Sequence, residues 1–143
     1  MLTMKETILI LISFFTLTAL IGCEDAPPDP VAIKNINAQE GYKLIEENKN
    51  NPNFVILDVR TPEEFNAGHI KNAVNIDYKN PDFKENVDKL DKSKTYALYC
   101  HSGRRAVASS DIMADLGFDD IYQFGGVEQW QEEGYTLTPP ENE

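Results

Sequence analysis

Cys100 opens the segment Cys100-His101-Ser102-Gly103-Arg104-Arg105, in which a thiol is followed by glycine at the third position and by arginine at the fourth and fifth. An apolar run over 96–99 precedes it and a helical pattern over 106–116 follows it. Cys100 therefore falls at a strand-to-helix junction, and open α/β sheets bind ligands beyond the carboxyl ends of their strands. Backbone N–H groups at a helix amino terminus lack intrahelical partners and attract anions. A tight loop ahead of such a helix can gather further N–H groups into a nest, and Gly103 supplies the backbone angles that this turn needs. A thiolate is favoured by a helix amino terminus and by neighbouring arginines. The same cradle favours an incoming oxyanion, so Cys100 reads as a nucleophile aimed at an anionic substrate. A small core cysteine would need neither the glycine nor the paired arginines.

The elements that must position this loop follow from hydrophobic patterning. Asn37 caps a helix over 38–47, with Glu40 completing a capping box. Tyr42, Leu44 and Ile45 are its expected buried face, and Gly41 is a weak point. Residues 50–53, Asn-Asn-Pro-Asn, form a turn. The run 54–59 is almost continuously apolar, as in a strand buried on both faces of a parallel sheet. Thr61 and Pro62 start a short helix that ends at Gly68. A short strand at 73–76 and a surface helix at 81–90 come next. In the helix after the Cys100 loop, Ala108, Ser109, Ile112, Met113 and Leu116 make the apolar stripe, and Gly117 ends it. A last strand covers 121–124, Gly125 and Gly126 turn into a short helix carrying Trp130, and Gly134 closes that helix. The alternation predicts an α/β fold with a mainly parallel central sheet and helices on both faces.

Composition limits the partners. The chain has 143 residues and 24 Asp plus Glu against 13 Lys plus Arg, for a net charge of −11. Nucleic-acid binding needs a basic face, so no nucleic-acid partner is expected. The second cysteine, Cys23, ends the uncharged run 7–22, which is short for a membrane span but suits the apolar region of an export signal behind Lys5. Leu20-Ile21-Gly22-Cys23 resembles the bacterial lipobox, which implies cleavage before Cys23 and acylation of it. Buried acyl methylenes contribute about 0.8 kcal/mol each to membrane affinity. The competing reading is an uncleaved anchor helix with an incidental cysteine. The expected organisation is thus a signal peptide at 1–22, a lipidated Cys23 with a Pro- and acid-rich tether to residue 35, a folded domain over 36–138 and a tail over 139–143. The expected location is the bacterial cell envelope, periplasm-facing or at the cell surface, with the membrane as partner through Cys23.

Four segments together resemble the rhodanese family of sulfurtransferases. The loop Cys100-His101-Ser102-Gly103-Arg104-Arg105 is similar to that family's Cys-x-x-Gly-x-Arg. Asp58-Val59-Arg60 with Glu64-Phe65, Gly68-His69-Ile70 through Ile76, and Gly125-Gly126 with Trp130 are similar to its other conserved segments, in the same order. The resemblance implies a rhodanese-like fold and covalent catalysis through Cys100. A sulfane sulfur passes from a donor such as thiosulfate to Cys100, and a cyanide or thiol acceptor removes the sulfur from the persulfide. It implies no metal and no organic cofactor. Arg105 takes a catalytic role, orienting the loop or holding the donor's oxygens. His101, Ser102, Gly103 and Arg104 line the substrate, Arg104 attracting anions and His101 tuning acceptor choice. Asp58 and Arg60 support the turn, in reach of loop backbone and of Glu64. His69 and Trp130 are packing residues, and the domain is expected to be monomeric.

Three rivals belong to other classes. Rhodanese-fold phosphatases and arsenate reductases have one more residue between Cys and Arg than the four found here, and a tetrahedral oxyanion is larger than one sulfur atom. A non-catalytic partner-binding module commonly lacks the cysteine. A thiol redox protein of the envelope would work without a resolving cysteine in this chain. Ala106 stands where the family often has Ser or Thr.

Overall fold

The computed structural model describes residues 31–139. The run 7–22, Cys23 and most of the tether lie outside the described residues. The order is β1 (Ile33–Asn35), α1 (Ala38–Asn48), β2 (Phe54–Asp58), α2 (Pro62–Asn66), β3 (Val74–Asn75), α3 (Phe83–Asp88), β4 (Thr95–Cys100), α4 (Arg104–Asp115), β5 (Asp120–Gly126) and α5 (Val127–Glu132). The five strands form one sheet in the order β1-β5-β4-β2-β3, and every pairing is parallel. β4 lies at the centre, so its carboxyl end, where Cys100 sits, is flanked by strands on both sides.

Alternation along the central strands divides the core into two layers, as a strand's period of two requires. Tyr96, Leu98 and Cys100 of β4 face one way, with Phe83 and Val87 from α3 and Ala106 and Met113 from α4. Ala97 and Tyr99 face the other way, with Ile45 of α1 and Val127 and Trp130 of α5. Helices thus cover both faces of an α/β sheet, as the patterning predicted. Both expected amino-terminal caps form as capping boxes, Asn37 with Glu40 and Thr61 with Glu64.

Three local readings differ from the sequence expectation. Residues 33–35, assigned above to the tether, form an edge strand paired with Ile121, Tyr122 and Gln123. A three-residue strand with two of its residues exposed carries too little apolar signal to stand out beside a Pro-rich run. On α4 the fully buried positions are Ala106, Ser109, Ser110 and Met113; the stripe is rotated from the expected one, and Ala108, Ile112 and Leu116 are only half-buried. On α1 the buried residues are Ala38, Gly41 and Ile45, whereas Tyr42 is exposed and stacks on Tyr135 at 4.2 Å between ring centroids.

Gly41 is thus a packing requirement rather than a weak point. A Cβ there would lie 2.8 Å from Cγ of Phe124, a ring that is itself buried against β4 and α5. Alanine is about 1 kcal/mol better than glycine inside a helix, but overpacking a buried contact costs about 1–3 kcal/mol. Gly41→Ala is therefore expected to lower the urea midpoint. A midpoint raised by the amount that helix propensity alone provides would show that α1 and β5 are not in close contact.

Candidate active site

The loop from Cys100 to Arg104 is built by a change of backbone conformation at one residue. Gly103 caps α4 with φ 98°, in the left-handed region that residues bearing a Cβ adopt only at a cost. That turn sets the direction in which α4 leaves the loop, and the Gly103 N–H, oriented by the residues before it, donates to Cys100 Sγ at 3.0 Å. Cys100 is 1% exposed and packs among apolar residues, which alone would suit an inert core cysteine. An N–H donor aimed at a sulfur favours negative charge there more than it favours a neutral thiol. The ring of several amides expected from the sequence is represented, among the described residues, by this one donor.

The loop rests on β5. Cys100 pairs with Gly126 across an irregularity in the β4–β5 register, and the Glu128 N–H donates to the His101 carbonyl at 3.2 Å. A Cβ on Gly126 would lie 2.0 Å from that carbonyl oxygen, and one on Gly103 would lie 3.3 Å from the Cα of Gly125. The Gly125-Gly126 pair is thus the seat on which the loop's backbone lies. Sequence reasoning took the pair for a turn, and the pairing register that gives it this task is not visible in one sequence.

Arg105 is half-buried. Its Nη1 and Nη2 donate to Glu64 Oε2 at 2.7 Å and Oε1 at 2.8 Å. Glu64 also accepts from the Thr61 N–H at 3.2 Å, so one carboxylate caps α2 and pins it to α4. The hydrogen bonds from Arg105 hold the Glu64 carboxyl down at about 2. The Glu64 carboxylate in turn raises Arg105 above the ordinary arginine value. Arg105, and not Arg60, meets Glu64.

Arg60 pairs with Asp58 instead. Its Nη2 lies 2.6 Å from Asp58 Oδ2 and 2.8 Å from the Gly68 carbonyl, while Asp58 Oδ1 accepts the Arg60 backbone N–H at 2.9 Å. Both side chains are buried, at 4% and 0% exposure. Burial opposes the Arg60 charge, but its bonds to Asp58 outweigh burial and raise it. Removing one partner of such a pair costs about 3–5 kcal/mol, because the other charge is left buried alone. The pair joins the end of β2 to the end of α2 and braces the wall beside the loop.

The remaining predicted residues fall into two groups. Ser102 and Arg104 are exposed on the loop and line a surface depression with Tyr78, Lys79, Arg105 and Ala108. His101 is exposed, and its Nε2 lies 3.2 Å from Glu128 Oε1, a partner that the sequence reading did not name. His69 stacks on Phe65 at 3.9 Å and Trp130 is in the core, both away from the sulfur's hydrogen bond. Lys79 was not foreseen as a site residue. It reaches the loop through the segment after β3, and only the folded arrangement brings the two together.

The family profile described as a rhodanese-like domain matches residues 38–133. The chain belongs to the rhodanese-like family. Among curated relatives, it is 36% identical over 89 residues to thiosulfate sulfurtransferase 16, chloroplastic, of Arabidopsis thaliana, a match covering 54% of this chain and 74% of the relative. It is 31% identical over 109 residues to a tRNA uridine(34) hydroxylase of Legionella pneumophila, covering 72% of this chain and 41% of the relative. A relative of the same name from Cytophaga hutchinsonii is 40% identical over 81 residues, covering 54% of this chain and 26% of that protein. The chain thus spans less than half the length of these two hydroxylases. Among solved structures, a rhodanese-related protein of Thermoplasma volcanium superposes with a TM-score of 0.62 at 32% identity, over 73% of this chain and 97% of that one. A polysulfide-sulfur transferase homodimer of Wolinella succinogenes gives a TM-score of 0.60 at 28% identity, over 74% of this chain and 78% of its own.

The Glu64–Arg105 pair makes a prediction about pH. The Glu64 carboxyl is held below its ordinary value of 4.5. Its contribution to stability is therefore complete above about pH 4.5 and is lost as pH falls toward about 2. The pair is partly exposed, at 18% for Arg105 and 32% for Glu64, so its stabilisation is about 1 kcal/mol or less. Glu64→Gln is expected to lower the urea midpoint at neutral pH, and its deficit relative to the unsubstituted protein should shrink steadily over that acidic window. A deficit of constant size would mean that Glu64 is not charged in the pair.

Proposed function

We propose that this rhodanese-like domain is a sulfurtransferase that carries a sulfane sulfur on Cys100. The observation that carries the reading is the Gly103 N–H at 3.0 Å from Cys100 Sγ, at the carboxyl end of the central strand and ahead of a helix. The thiolate attacks the outer sulfur of a donor such as thiosulfate. A new S–S bond forms, the donor's S–S bond breaks with its electron pair, and sulfite leaves. The persulfide on Cys100 then keeps its negative charge beside the same amide. A thiophilic acceptor, cyanide or a thiol, attacks the outer sulfur, and Cys100 departs as thiolate. Charge and electrons balance in each half, so no outside reductant is needed. The enzyme alternates between its free and persulfide forms, which gives ping-pong kinetics.

The supporting residues act through position. Gly126 and Gly125 hold the loop's backbone from below, and the Arg105–Glu64 pair holds the first turn of α4 from the side. Because Arg105 Nη1 and Nη2 both donate to Glu64, Arg105 is assigned to orienting the loop rather than gripping the donor. The loop keeps four residues between Cys100 and Arg105, which suits one added sulfur better than a phosphate or arsenate. A net charge of −11 disfavours a polyanionic RNA substrate, so the activity named for the hydroxylase relatives is not carried over to this chain. Export and lipid anchoring through Cys23 complete the proposal and place the reaction in the cell envelope.

Two experiments test it. After incubation with thiosulfate, mass spectrometry should find one extra sulfur on Cys100, which cyanide then removes as thiocyanate. Cys100→Ser should neither load nor turn over, and turnover equal to the unsubstituted protein would remove Cys100 from the reaction. For the anchor, Cys23→Ala should release the protein from membranes of a bacterial host. Undiminished membrane retention would assign the anchoring to the apolar segment 7–22 instead.

A further inference from the structure

The depression beside the loop is cationic in a protein that is otherwise strongly acidic. Tyr78, Lys79, Ser102, Arg104, Arg105 and Ala108 line it, and no carboxylate does. Of its three cations, Arg105 is already spent on Glu64. Lys79 and Arg104 are exposed, and among the described residues neither forms an ion pair. The two come from different elements. Arg104 is the first residue of α4. Lys79 is held in a tight turn by Asp77, whose Oδ1 accepts the Lys79 N–H at 2.8 Å and whose carbonyl accepts the Asn80 N–H at 3.1 Å. The preceding residue ties that turn to the sheet, since the Tyr78 N–H donates to the Val59 carbonyl at 3.2 Å. The turn's backbone is thus fixed while the Lys79 ammonium is left unpaired at the rim.

We infer that Lys79 and Arg104 form the seat for the oxyanion end of the sulfur donor, with Lys79 as a specificity-determining residue for a small dianion of the thiosulfate class. This rests on the sulfurtransferase reading and assigns to these two side chains the donor contact that the sequence alone placed on Arg105. The donor's sulfonate lies between the ammonium and the Arg104 guanidinium, and its outer sulfur is directed past Ser102 toward Cys100 Sγ. After transfer the same two cations hold the departing sulfite. A neutral thiol acceptor has no charge for them to grip, so the seat serves only the loading half.

Ping-pong kinetics separates the halves, because kcat/KM for donor reports loading and kcat/KM for acceptor reports unloading. In the full chain, Lys79→Gln is expected to lower kcat/KM for thiosulfate by about three- to tenfold, with kcat/KM for dithiothreitol unchanged. Lys79→Arg should restore the loss, and rising salt should shrink the difference between Lys79→Gln and the unsubstituted protein. An unchanged donor kcat/KM, or an equal fall for donor and acceptor, would overturn the assignment. A binding measurement keeps this distinct from the chemistry. Sulfite titrated into Cys100→Ser should shift the Ser102 and Gly103 amide resonances, and Lys79→Gln in that background should weaken binding. Sulfite binding that needs Lys79, without sulfur loading in the unsubstituted protein, would keep the anion seat and refute the transfer reaction. Loading with no dependence on Lys79 in either measurement would keep the reaction and refute the seat.

Discussion

A single backbone amide directed at a single sulfur sets the terms for the rest of this domain. The Gly103 N–H donates to Cys100 Sγ and Gly103 then turns left-handed to launch α4, in a loop whose backbone lies unusually close to β5. Gly126 provides this approach, since any side chain there would strike the His101 carbonyl. The chain therefore needs glycine on both sides of the contact, one to make the turn and one to receive it. β4 and β5 are neighbours at the centre of a parallel sheet, and their register carries Gly126 alongside Cys100. The site's geometry is a consequence of strand order.

Two arginine–carboxylate pairs flank this arrangement, and their energetic roles differ. Asp58–Arg60 is buried, and its charges must stay together because neither can be solvated. It fixes the exit of β2 against the end of α2 through the Gly68 carbonyl. Glu64–Arg105 is partly exposed, stabilises little by itself, and acts mainly by joining α2 to the first turn of α4. Together they leave two cations of the depression unpaired, Lys79 and Arg104. A molecule that repels anions at long range thus keeps a small region of opposite sign beside the Cys100 loop. Interactions with that region fade within about a Debye length, roughly 8–10 Å at physiological salt, which suits a small donor that arrives by diffusion.

Much of this was legible in the residues. The loop's Cys, Gly and Arg spacing, the two capped helices and the apolar strands gave the layer order and placed Cys100 at a strand-to-helix junction, because each rests on local chemistry. The parts that escaped depend on long-range register. The strand at 33–35 has no signal of its own and exists because β5 offers it an edge. Gly41 reads as a helix defect until Phe124 is placed against it. The stripe on α4 is rotated because Ala106 and Ser110 are buried in place of Ala108, Ile112 and Leu116, and a small or polar residue type hides a buried position from hydrophobic patterning. Glu64 stood within a recognised segment, but its partner is 41 positions away, and nothing local distinguishes Arg105 from Arg60 or Arg104 as that partner. Lys79 had no pattern at all.

The rhodanese-like family covers the described domain, and the relatives at the level of whole proteins carry different named activities. The fold therefore constrains the reaction less than the loop does. The most direct measurement is a high-resolution crystal structure of the protein treated with thiosulfate and freed of excess donor. The account predicts a second sulfur bonded to Cys100 Sγ and lying within hydrogen-bond distance of the loop's amides. An unmodified thiol under conditions that consume thiosulfate, or an added sulfur turned away from those amides, would contradict it.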